Sequence, residues 1–246
     1  MNQQRLIVMD DAQALYVRAA EEIAHLAGEA ICTHGEFIIC LTGGSTPAST
    51  YELLATRFRL SVDWKEVQFF WGDERCVRPD DPASNFGMSN RTMLSKLPLR
   101  PEQIHRIRGE EEPADAASDY ERELRRSFQL QQLEDLPSFD LVLLGLGENA
   151  HVASLFPHHP ALHEKTRLAV AVDVEATPSR RISLTMPMIN NAERVWFLVS
   201  GESKAGAVKN VLQGPADPEQ YPAQLVKPHT SEIVWLMDKA AALRLE

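Results

Sequence analysis

The chain is poor in several features that mark particular protein classes, and each shortage excludes something. Only three of its 246 residues are cysteine, Cys32, Cys40 and Cys76. An odd number without paired spacing excludes a disulfide framework, so the thiols are expected to be free, at least two of them buried. No apolar run is long enough to cross a bilayer. Met1 to Arg5 lack the basic start, apolar middle and small-residue cleavage site of a secretory leader. These absences predict a cytoplasmic protein with no membrane partner. Basic residues are also in deficit: 25 Lys and Arg stand against 35 Asp and Glu, a formal net charge of -10. Nucleic acid and anionic membrane surfaces both require a basic face, so neither is expected as a partner. No internal repeat, low-complexity tract or long linker is present, and residues 1–246 read as one domain at the upper end of what one core supports.

Short apolar, β-branched runs alternate with segments of helical period. The runs are Phe37 to Leu41, Val67 to Trp71, Phe139 to Leu144, Val195 to Val199 and Ile233 to Met237, with Arg167 to Val172 as a further strand. Between them, Asp11 to Thr33 places Leu15, Ala19, Ile23 and Leu26 at steps of three and four, the mark of an amphipathic helix. Ala48 to Thr56, Asp115 to Leu133 and Ser203 to Leu212 are also expected to be helical. Pro79 to Arg108 reads as a loop-rich excursion. This alternation predicts an α/β fold built on a mainly parallel sheet with helices on both faces. In such sheets the ligand crevice lies beyond the carboxyl ends of the strands, so the turns that follow strands are the first places to look for a site.

The first such turn is Thr42-Gly43-Gly44-Ser45-Thr46-Pro47. Its glycines permit positive φ and close backbone approach, Ser45 or Thr46 suits a helix cap, and Pro47 suits a first helical turn. Free N–H groups at the positive end of a helix dipole make an anion site; the competing reading is a tight strand-to-helix turn that binds nothing. The turn lacks the Lys of a P-loop and the Gly spacing of a dinucleotide fingerprint, so neither ATP nor NAD is supported and no cofactor is expected. The second turn carries Asp73-Glu74-Arg75, either crevice charges or a solvated ion-paired turn, and is followed by Ser84-Asn85. The third runs from Gly145-Leu146-Gly147 through Asn149 and Ala150 to His151. His151 is a candidate general base or a structural histidine. His158, His159 and His163 lie close together, but only Glu164 is near to complete a ligand set, so no metal is expected.

Taken together, Leu41 to Pro47, Gly72-Asp73-Glu74-Arg75 with Ser84-Asn85, and Gly145-Leu146-Gly147 through His151-Val152-Ala153-Ser154-Leu155-Phe156-Pro157 resemble the successive motifs of the 6-phosphogluconolactonase family. The likeness continues through Arg181 to Thr185, Gly201-Glu202-Ser203-Lys204 and Tyr221 to Gln224. It implies a doubly wound sheet shared with the glucosamine-6-phosphate deaminases and a phosphosugar lactone as substrate. It further implies phosphate binding by Gly43, Gly44, Ser45, Thr46 and Lys204, and Arg181, expected just before a strand, is placed to add a second cation. His151 is implied as base, with Arg75, Asp73 and Asn149 around the reacting centre; Ser154 has no evident activating partner. Ala-Ser-Leu-Phe-Pro after His151 is lactonase-like, where a deaminase would carry Asn-Glu-Pro. One departure stands out: Asn149-Ala150-His151 replaces the family's Asp-Gly-His, which removes a negative charge beside the imidazole and a glycine from a tight turn. Two rivals follow, an amino-sugar-phosphate deaminase and a sugar-phosphate binding protein with weakened catalysis. Monomer and small homo-oligomer both fit the sequence.

Overall fold

The computed structural model describes residues 4–132, 134–175, 179–228 and 232–246. In chain order the elements are β1 (Gln4–Met9), α1 (Ala12–His34), β2 (Phe37–Leu41), α2 (Ser45–Thr56), β3 (Val67–Trp71), β4 (Asp73–Arg75), α3 (Asn85–Thr92), α4 (Pro113–Ser127), β5 (Leu141–Leu144), β6 (Ala169–Asp173), β7 (Arg180–Leu184), α5 (Met186–Asn190), β8 (Val195–Val199), α6 (Ala205–Leu212) and β9 (Ile233–Asp238). Six strands form a parallel sheet in the order β1-β9-β8-β5-β2-β3, and β4-β7-β6 form a separate antiparallel sheet. The expected doubly wound α/β architecture is present, and its topology locates the crevice. From β2 the chain steps outward to β3, then returns to lay β5 on the other side of β2. The strand order reverses between β2 and β5, where an open sheet leaves a cleft beyond its carboxyl ends.

Local chemistry accounts for the elements that position this cleft. Asp11 caps α1 by accepting a hydrogen bond from the Ala14 N–H at 2.8 Å, and Gly35 at φ 94 ends the helix. The stripe containing Leu15, Ala19, Ile23 and Leu26 is buried as its spacing requires. The central strands β5, β8 and β9 are buried at every position, as strands covered on both faces must be.

Several sequence expectations are corrected here. Arg167 to Val172 yields β6, but its partner β7 is antiparallel and lies outside the main sheet. Arg181 sits inside β7 rather than before it. The stretch from Pro79 to Arg108 contains α3, because the Ser84 hydroxyl accepts from the Gly87 N–H and caps a helix there. The helix over Asp115 to Leu133 stops at Ser127, just before Gln129 turns into positive φ; Leu133 lies outside the described residues. Ser203 to Leu212 begins as a 3-10 turn, Glu202–Lys204, before α6. Of the three thiols only Cys40 is buried; Cys76 is half-buried and Cys32 is exposed near the end of α1. Among the described residues no helix is long and apolar enough to cross a membrane.

Two tyrosines fasten the strand ends that lead into the cleft. The buried Tyr51 hydroxyl, on α2, accepts from the Thr42 N–H and donates to the Thr42 carbonyl, both at 3.0 Å. Tyr120, on α4, does the same for Trp71 at the end of β3, at 3.0 and 2.8 Å. Each hydroxyl satisfies two backbone groups that the strand ladder leaves without partners. Tyr51→Phe strands both groups of Thr42 in the interior, and a loss of about 1–3 kcal/mol is expected in denaturant unfolding. A midpoint unchanged from the parent would refute the clamp.

Candidate active site

At the reversal point a cavity of about 240 Å³ is lined by Thr42 to Pro47 after β2, by Asp73 and Arg75 of β4, by Gly145 to Gly147 after β5, and by His151, Arg181 and Lys204. The three turns singled out in the sequence therefore meet in one place.

The turn after β2 is a helix start, but not capped as expected. Gly44, at φ 110, occupies the N-cap position, and neither Ser45 nor Thr46 makes a capping side-chain bond. The first intrahelical bond runs from the Ala48 N–H to the Gly44 carbonyl at 3.1 Å. The N–H groups of Gly44, Ser45 and Thr46 have no acceptor among the described residues and sit at the positive end of α2. Gly43 is required for another reason: a Cβ there would collide with the Asn85 side chain. Asn85 is held in turn by the Asp73 carbonyl at 2.9 Å and the Asp73 carboxylate at 3.0 Å.

Cations concentrate on one wall. Arg75 and Arg181 face each other directly across the β4–β7 pair, an arrangement of like charges that disfavours the sheet unless an anion joins them. Each has a buried Nε without an acceptor. Among the described residues the Arg75 side chain is fixed only by Nη1 donating to the Ala83 carbonyl at 2.7 Å. Arg181 is 7% exposed, and burial with neighbouring Arg75 holds its guanidinium below the usual value. Lys204 closes the 3-10 turn before α6. None of the three cations has an ion-pair partner among the described residues.

His151 is held on three sides. The Asn149 Oδ1 lies 2.6 Å from Nδ1 and also accepts from the His151 N–H at 3.3 Å. Because an amide oxygen only accepts, this contact puts the proton on Nδ1 and leaves the Nε2 lone pair free. Phe156 stacks on the ring at 4.1 Å and 20°, and a Cβ on Gly147 would overlap the imidazole. The turn itself is closed by the Gly147 N–H to the His151 carbonyl at 3.0 Å and the Ala150 N–H to the Gly147 carbonyl at 2.9 Å. Ala150 sits at φ 63, so an alanine here occupies a strained left-handed position that a glycine would adopt freely. Burial, followed by the charges of Arg181, Lys204 and Arg75, pushes the imidazole down to about 4.

The acidic residues behave differently from their sequence readings. Asp73 makes no hydrogen bond to Arg75; its carboxylate accepts from the Ser154 hydroxyl at 2.7 Å and from Asn85. Ser154 thus has a partner, but it is completely buried and the partner is an acceptor fixed in the wall. Glu74, 2% exposed, accepts from the N–H groups of Arg75, Asn85 and Phe86 at 2.7, 2.7 and 2.8 Å and from the Ser84 hydroxyl at 2.9 Å. Rather than a solvated turn, it is the post that draws residues 84–86 against β4. Burial raises its carboxyl above the usual range. The sequence offers Glu74 only as part of a charged turn and gives no role to Ser154 or Phe156; of the residues that hold Glu74, only Ser84, whose hydroxyl also caps α3, carries a local signal. His158, His159 and His163 turn to separate partners, Gln220, the Ala161 N–H and Glu219.

Residues 10–235 match the family described as glucosamine-6-phosphate isomerases/6-phosphogluconolactonase. The 6-phosphogluconolactonase of Synechocystis sp. is 39% identical, with 97% of each chain covered, and that of Nostoc sp. is 38% identical over the same shares. The structure of the 6-phosphogluconolactonase from Trypanosoma cruzi superposes with a TM-score of 0.86 at 25% identity, covering 100% of this chain and 98% of that one. With its cleft at the point where the strand order reverses and the match running through nearly its whole length, the chain belongs to the glucosamine-6-phosphate isomerase/6-phosphogluconolactonase family.

Proposed function

We propose that this protein hydrolyses 6-phospho-D-glucono-1,5-lactone to 6-phosphogluconate, as a cytoplasmic enzyme of the oxidative pentose phosphate pathway, with residues 1–246 acting as one unit. The observation that carries the reading is the cross-strand pair Arg75 and Arg181, joined by Lys204 and left without carboxylate partners beside the open N–H groups that begin α2. In a chain of net charge -10, three such cations in one cavity imply an anionic ligand. Relatives of this name at 38–39% identity support the substrate.

In this scheme the substrate phosphate sits on the amides of Gly43 to Thr46, the hydroxyls of Ser45 and Thr46, Arg181 and Lys204. That anchor fixes the lactone ring. Nε2 of His151 takes a proton from water as its oxygen bonds to the lactone carbonyl carbon. Arg75 and the backbone N–H groups after β5 face the oxyanion that develops. Collapse of the tetrahedral centre breaks the ring carbon–oxygen bond, and the proton on Nε2 passes to the leaving ring oxygen. Asp73 and Asn85 hold the wall against which the sugar lies. Asn149 keeps the productive tautomer.

The decisive experiment is pH-stat hydrolysis of freshly prepared lactone against the uncatalysed background. Rate acceleration is expected, together with no ammonia release from glucosamine 6-phosphate. Binding of 6-phosphogluconate without acceleration would overturn the reading. Asn149→Asp places an anion beside Nδ1, which favours the imidazolium and raises the base from about 4. The acid limb of kcat should move upward by roughly one pH unit, with a kcat gain of about ten-fold at neutral pH as the imidazolium formed during attack is stabilised. An unmoved limb would show that this contact does not tune the base.

A further inference from the structure

We infer that Phe156 is a positioning residue of the reaction, a single aromatic surface on which both the general base and a phosphate-binding cation are seated. The inference rests on the lactonase reading above. Phe156 reaches this place because the chain folds back tightly after His151. Ala153 takes φ 48, the Leu155 N–H donates to the Val152 carbonyl at 2.8 Å, and residues 152 and 155 pair as an isolated bridge. The fold-back lays the Phe156 ring against the imidazole at 4.1 Å between centroids and 20° between planes. The Arg181 guanidinium lies 5.4 Å from the centroid of the same ring.

Each contact does something a generic apolar side chain would not. Arg181 needs a favourable neighbour, since it is buried and its Nε has no acceptor. A carboxylate would supply one, but would neutralise the charge that is to meet the phosphate. The negative face of an aromatic ring attracts the guanidinium while leaving its N–H groups and its charge available. The ring also lies flat on His151, fixing the imidazole plane, and it favours the imidazole when this becomes positive during water attack. The wall that sets the base is thus also the wall that sets the anchor.

The test compares Phe156→Leu with Phe156→Tyr. With Leu, kcat should fall about ten-fold and KM rise several-fold, while Tyr keeps both within about three-fold of the parent. A purely structural role would not split by background. In His151→Ala, adding Phe156→Leu should leave kcat unchanged yet still raise KM; in Arg181→Ala it should lower kcat with no further effect on KM. The ring-current shift of the His151 Hε1 resonance gives a readout free of activity: it should be present in the parent and in Tyr, and lost in Leu. If Leu does not fold, Phe156→Met takes its place. A folded Leu or Met variant with parental kcat, KM and Hε1 shift would overturn the assignment, as would equal impairment by Leu and Tyr. A parent chain inactive on the lactone would sink the lactonase reading instead. The Hε1 shift, with 6-phosphogluconate affinity as a second measure, would then still decide whether Phe156 seats the two groups.

Discussion

Replacing His151 by Ala should lower kcat by roughly 10²- to 10⁴-fold with KM almost unchanged, the loss expected when a positioned general base is removed. Nε2 is the free nitrogen of a ring fixed by Asn149, Phe156 and Gly147, and no side chain in the cavity duplicates it. Asp73 also lines the cavity, but its carboxylate is already occupied by Ser154 and Asn85. The pH profile carries the same assignment. A base must be unprotonated to act, and burial with the three nearby cations holds this one down to about 4. The parent enzyme's kcat/KM should therefore stay level from neutrality to about pH 5 and fall about ten-fold per unit below pH 4. Steady-state assays of the variant across that range decide the matter. Turnover within a few-fold of the parent would remove His151 as the base.

The second large effect concerns the anchor. Lys204→Ala and Arg181→Ala should each raise KM by roughly 10- to 100-fold, the worth of one charge-assisted hydrogen bond to phosphate. Inorganic phosphate should compete with substrate in the parent and much less in either variant. These substitutions also have an electrostatic consequence whose sign is fixed. Both positive charges oppose protonation of His151, so removing either lets the imidazole rise toward its ordinary range. The acid limb of kcat should move to higher pH while KM worsens. A substrate phosphate bound between the same cations should produce a milder form of this shift in the parent, seen as a limb in kcat lying above that in kcat/KM. Unchanged KM in both variants would place the phosphate elsewhere in the cleft.

How much of the molecule is legible in its sequence follows from the range of the forces involved. Phe37 to Leu41 and Val195 to Val199 are legible because a strand buried on both faces must be apolar at almost every position, and α1 because one face is buried at helical spacing. The six residues of β1 are not, because they lie at an edge, where Leu6 and Val8 remain 45% exposed and the apolar signal is diluted by Gln4 and Arg5. β4 is hidden because it is three residues long and charged. The site residues on turns are visible through local chemistry, since glycine and proline there answer to backbone geometry and a histidine to proton transfer. The arginine pair is not, because its meaning lies in the register of Arg75 with Arg181 across two strands far apart in the chain. Glu74 misleads for a similar reason: its four donors arrive from residues 75 and 84–86, and only the fold shows that it is buried. The half-buried position of Cys76 and the exposure of Cys32 likewise follow from tertiary packing that composition does not encode.

The two turns of the cleft are fastened from different directions. The Thr42 turn is pinned from behind by Tyr51 on α2, whereas the His151 turn is closed by bonds among Gly147, Asn149, Ala150 and His151 and tied outward by the Ala223 N–H donating to the Ala150 carbonyl at 3.0 Å. A substitution at Asn149 or Ala150 therefore leaves the Tyr51 clamp behind the Thr42 turn untouched. Asn149 and Ala150, the two departures from Asp-Gly-His, thus lie on the side of the cleft that holds the imidazole, apart from the turn whose N–H groups open α2.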